Sequence, residues 1–168
     1  MKAGSWESGG WDPGFFETCL CRSHTLAPAR DGFNHVYPAI DQMPGLVRLE
    51  PIAYRIEYAD GLKVTMLLLE GLVGDFTFAA RLKGRRELLS TLMYVPHPQQ
   101  GHFFNPLINN IEKMFLTGKP TYPLERTLLT TGLTEAGVES LWRGQVPLKT
   151  PHLAICYTST KESTYWKS

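Results

Sequence analysis

Residues 52–69, "IAYRIEYADGLKVTMLLL", alternate apolar and polar positions with a period of two on both sides of an Asp60-Gly61 pair. This is the pattern of a half-buried β-hairpin. Its register follows from matching the faces. Ile52, Tyr54, Ile56 and Tyr58 share a face with Leu62, Val64, Met66 and Leu68 if the loop has three residues, Ala59, Asp60 and Gly61, with Gly61 left-handed as a bulge. A two-residue turn on Asp60-Gly61 would set Tyr58 against Lys63 and Glu57 against Val64, mixing the faces. The predicted pairs are therefore Tyr58 with Leu62, Ile56 with Val64, and Glu57 with Lys63. Further along, "VGDFTFAARL" places Phe76, Phe78, Ala80 and Leu82 on one face, and "KGRR" turns the chain into "ELLSTLMYV". Four consecutive strands with short connections predict an antiparallel arrangement.

The period then changes to 3.6. In "FNPLINNIEKMFLTGK", Phe104, Leu107, Ile108, Ile111, Met114 and Phe115 line one helical face, Asn105 and Pro106 suit the cap and first turn, and Gly118 stops the helix. A second helix, "PLERTLLTTGLTEAGVESLWRG", has Pro123 in its first turn, Glu125 near its positive end and Gly144 as the terminating glycine. Leu124, Leu128, Ala136 and Leu141 can face inward. Each of the internal glycines, Gly132 and Gly137, costs a helix about 1 kcal/mol relative to alanine, so each predicts a close approach, by the sheet or by the preceding helix. A last strand is expected over residues 152–157, at a sheet edge. The fold class is α+β: an open, mainly antiparallel β-sheet with helices packed on one face.

Residues 1–51 are rich in Gly, Pro, Asp and Ser and offer one helix, "DPGFFETCLCRS", with Asp12 as cap and Pro13 in the first turn. Their apolar residues are too few for a core of their own, so this segment packs against something else or stays mobile. The organisation expected is a single domain: a weakly structured segment, 1–51, leading into an α+β sheet domain, 52–168. The second sheet face carries Arg55, Glu57, Lys63, Thr65, Leu67, Leu69, Thr77, Ala79 and Arg81, a mixture in which Leu67 and Leu69 call for cover from the N-terminal third or from another subunit.

Composition narrows the function classes. With 168 residues, 43% hydrophobic and 20% charged, the chain can bury one core, and a formal net charge of +1 provides no global field for nucleic acid or an anionic membrane. No apolar run approaches the roughly 20 residues that span a bilayer, and the first residues lack the apolar stretch of a secretory signal, so the expectation is a cytoplasmic protein. The cysteines, Cys19, Cys21 and Cys156, are odd in number and suit reduced thiols. Neither G-x-G-x-x-G nor G-x-x-x-x-G-K-[ST] occurs, and no nucleophile elbow or triad order is recognisable. "EGLVGDF" has strand pattern on both sides and reads as a turn within the sheet. "ARLKGRR" gathers Arg81, Lys83, Arg85 and Arg86 into a solvated turn that protects the sheet end. "YVPHPQQGHFF" sets His97 and His102 in a loop between the fourth strand and the first long helix, at a sheet end where ligand sites often lie. Two histidines without a third ligand make a poor metal centre.

The succession "DGLKVTMLLLEG", "DFTFAARLKG" and "NPLINNIEKMFLTGKPTYPLERTLLTTGLTEAGVESLWRGQVPLKTP" resembles the C-terminal domain of the Gfo/Idh/MocA family, relatives of glucose-fructose oxidoreductase and inositol dehydrogenase. The matching features are a helix over residues 111–116, a loop opened by Gly118, a helix beginning at Pro123, and an exit marked by Ser140 and Gly144; the resemblance spans roughly residues 12–157. It implies an open sheet with helices on one face, serving substrate binding and subunit association. Whole family members also have a Rossmann domain that binds NAD(P) and a catalytic lysine in a Glu-Lys-Pro motif. The 168 residues contain neither, and Gly118-Lys119-Pro120 lies between the last helices and does not inherit that lysine's role. The resemblance therefore implies a truncated product, a separately encoded half or a degenerate relative, with no catalytic, cofactor-binding or metal-binding residue of its own. Its partners would be a second copy through the sheet face, or a Rossmann domain that supplies NAD(P). With such a domain present, Tyr94, His97 and His102 are the groups expected near a small-molecule substrate.

Overall fold

The computed structural model describes residues 10–25, 50–94 and 104–160, and the chain divides into two units, one ending at Val95 and the other beginning at Pro96. In the first, β1 (Ile52–Glu57) and β2 (Lys63–Leu68) pair antiparallel with Ile52 opposite Leu68, Tyr54 opposite Met66, Ile56 opposite Val64 and Glu57 opposite Lys63. This is the register expected from the faces. The Tyr58 amide donates to the Leu62 carbonyl at 2.9 Å and the Gly61 amide to the Tyr58 carbonyl at 2.9 Å. Gly61 has φ +86°. A Cβ there would meet nothing within 4 Å, so the backbone's sign, and not lack of space, requires the glycine.

β3 (Phe76–Arg81) and β4 (Leu88–Met93) form a second antiparallel hairpin, with Phe76 opposite Met93, Phe78 opposite Thr91 and Ala80 opposite Leu89. Among the described residues the strands pair only within each hairpin, so the open antiparallel structure is two two-stranded sheets instead of one meander. The cause lies in the connection between them. Leu72 and Val73 both donate their amides to the Leu69 carbonyl, at 3.0 and 3.3 Å. This folds residues 69–73 into a turn that drives Leu69 and Leu72 inward, where a tight hairpin would have carried β2 directly into pairing with β3.

Helix α1 (Pro13–Arg22) starts as its sequence predicts, with the Asp12 carboxylate accepting the Phe15 amide at 3.0 Å and Pro13 in the first turn. It packs on β3 and β4. Leu20 joins Leu69 and Leu72 in the buried core, and Phe16, Leu67 and Val73 pack around them. The cover demanded by Leu67 and Leu69 thus comes from the N-terminal third. Polar contacts fix the end of the helix: Arg22 Nε donates to Ser90 Oγ at 2.8 Å, Ser23 Oγ to Asp75 Oδ1 at 2.9 Å, and the His24 amide to Asp75 Oδ2 at 2.7 Å. Thr25 Oγ1 accepts the Gly74 amide at 2.8 Å. The "EGLVGDF" turn therefore has a structural task, since Asp75 is the acceptor that clamps α1 to the start of β3. Asp75→Ala is expected to loosen α1 by about 1–3 kcal/mol, the net worth of two partly exposed hydrogen bonds to a charged acceptor. The readout is the alkylation rate of Cys19, on the docked helix, which should rise; an unchanged rate would show that Asp75 is not the clamp.

The second unit contains α2 (Asn105–Thr117) and α3 (Leu124–Trp142). α2 begins at Asn105, so that residue is the first of the helix and not its cap. Its end is as expected: Gly118 has φ +64° and its amide donates to the Met114 carbonyl at 2.9 Å. α3 closes through Gly144 at φ +86°, with the Gln145 amide on the Ser140 carbonyl at 2.7 Å and Ser140 Oγ on the Val146 carbonyl at 2.7 Å. Two of the threonines inside α3 bond back to their own helix, Thr130 Oγ1 to the Arg126 carbonyl and Thr134 Oγ1 to the Thr130 carbonyl, each at 3.0 Å.

Three expectations for this unit change. The strand expected over residues 152–157 is a 3-10 turn, Pro151–Leu153, followed by irregular chain. Pro151 has no amide to give a sheet, and the Leu153 amide is used by the Thr150 carbonyl at 2.9 Å. Gly132 is buried and does mark a close approach, but its neighbour is Leu153: a Cβ on Gly132 would lie 2.3 Å from Leu153 Cδ2. Leu124, Leu128 and Leu141, expected to face inward, are exposed.

Candidate association surface

The apolar face of β3 and β4 is built by register alone. Phe76 and Met93 sit directly opposite one another, Phe78 follows two residues along, and Leu89 lies across from Ala80. The sequence pattern marks this as the core face. Instead Phe76 is 65% exposed, Met93 54%, Leu89 42% and Phe78 39%. Met66 and Leu68, on the apolar face of β1 and β2, are also exposed. On β3 and β4 the reason is that α1 occupies the other side, where Thr77 and Ser90 lie. A helix of ten residues carrying one apolar stripe covers one side of a hairpin, and its Asp75 clamp decides which.

α2 repeats the situation. Phe104, Leu107, Ile108, Ile111, Met114 and Phe115 form the apolar stripe read from the sequence, and all six are exposed. Exposed apolar groups arranged on one face mark an association surface when several adjoin, because removing each from water is favourable by roughly 25 cal/mol per Å².

Polar chemistry is sparser. Tyr94 follows β4 directly and is 64% exposed. His97 and His102 lie outside the described residues. A cleft of about 200 Å³ that the sequence did not indicate lies beside the last half of α3, lined by Glu135, Glu139, Arg143, Lys149, Thr150 and His152. The expected strand over residues 152–157 concealed it, since a strand would have carried His152 away. Arg143 forms an ion pair with Glu139 one helical turn back, and the lining is that of a hydrated charged surface.

Cys19, Cys21 and Cys156 are free thiols, and among the described residues no group of three or more His, Cys, Asp or Glu is placed to hold a metal ion. Burial pushes the Cys19 thiol up from its ordinary value, and a hydrogen bond with Thr77 partly opposes this. Iodoacetamide near pH 8 is therefore expected to modify the exposed Cys21 and Cys156 before Cys19; mass spectrometry showing Cys19 reacting first would contradict its placement on the side of α1 that meets β3. The sign of the pH effect follows. Above the ordinary thiol range the unfolded chain has lost this proton while the folded chain keeps it, so Cys19 lowers stability as pH rises there.

The α1 N-terminus is taken by the Asp12 carboxylate, which would repel a phosphate. α2 and α3 follow Phe104 and Pro123, neither of which caps its helix through a side-chain hydrogen bond. No described helix is long and apolar enough to cross a membrane. No family model matches the chain, and neither a curated protein nor a solved structure matches it.

Proposed function

We propose that this chain is a substrate-binding and oligomerisation domain of the kind that ends Gfo/Idh/MocA oxidoreductases, catalytically incomplete until a dinucleotide-binding domain joins it. The observation that carries the reading is the exposed apolar face of β3 and β4, which has the composition of a buried layer and the exposure of a surface. Substrate contact falls to Tyr94, His97 and His102, in the stretch that follows β4 in the sequence, and NAD(P) comes with the partner. The same face favours a second reading, a stand-alone, non-catalytic dimerisation module.

Size-exclusion chromatography with light scattering tests both. Association at micromolar concentration is expected, and a folded, strictly monomeric chain would remove the self-association that both readings invoke. Calorimetry with NADH then examines the cofactor side. The isolated chain is expected to give no binding heat, and tight binding would overturn the statement that it contains no dinucleotide cradle. A Rossmann domain from a family member, added in trans, separates the readings: complex formation favours the first, and indifference favours the dimerisation module.

A further inference from the structure

We draw no further inference here: the strongest candidate, the apolar stripe of α2 running from Leu107 to Phe115, is an exposed helix face, and nothing among the described residues shows what covers it.

Discussion

Leu72→Ala is expected to unfold the first unit at temperatures where the unaltered chain is folded. Leu72 is fully buried, and only Leu20 and Leu69 accompany it as buried core among the described residues. Removing a buried leucine down to Cβ costs about 2–5 kcal/mol, because the lost transfer energy is joined by a cavity into which the surroundings relax only partly. Domains of ordinary size have only about 5–15 kcal/mol in total, and a core of three leucines belongs at the lower end. The site is also a junction. Leu72 sits in the turn between the hairpins while Leu20 comes from α1, so the cavity separates the helix from both. Thermal melts followed by circular dichroism should show a large drop in midpoint, and Cys19 should alkylate at the rate of an exposed thiol. The control is Leu62→Ala, at a residue 56% exposed beside the β1–β2 turn, which should cost about 0.5 kcal/mol or less. Equal effects at the two sites would mean that the three-leucine cluster is not the core.

The second large effect concerns association. Phe76→Lys combined with Met93→Glu replaces two exposed apolar residues that face each other across the hairpin with an opposite-charge pair, which keeps a favourable cross-strand contact. If the face is a contact surface, the change removes two anchors worth roughly 1.5–3 kcal/mol each on full burial. An apparent dissociation constant raised by more than about a hundredfold is then expected, read as a shift to monomer in light scattering. The melting midpoint at low concentration should stay close to that of the unaltered chain, because neither side chain is buried within it. An unchanged oligomer would locate association elsewhere, with the α2 stripe next to be tested.

Local signals in the sequence were read well where the physics is local. Gly61 at φ +86° and the Tyr58–Leu62 hydrogen bond follow from the requirement that a three-residue loop keep the two apolar rows together. Asp12 and Pro13 start α1, and Gly118 ends α2, because helix ends are decided by a few adjacent residues that satisfy or lack backbone partners. Gly132 announced a close approach correctly, since the energetic cost of glycine in a helix is a local quantity. Its partner Leu153 was not legible, since that depends on where the chain returns after Gly144. The candidate site residues were legible only as types: Tyr94 is exposed just after β4, and His97 and His102 fall outside the described residues.

What the sequence by itself determined, then, is which residues share a face: Phe76 with Phe78, Ile52 with Tyr54, Leu107 with Ile111. Periodicity fixes that through backbone geometry, without reference to any neighbour. Which face is covered was decided only in the tertiary structure. The more apolar row looked like the core, yet α1 settled on the side of Leu67 and Thr77, because Asp75 holds its last turn there and the folded 69–73 turn delivers Leu69 and Leu72 to meet Leu20. Burial is a contest among all surfaces that can reach one another, and a pattern along one strand contains no term for the competitor.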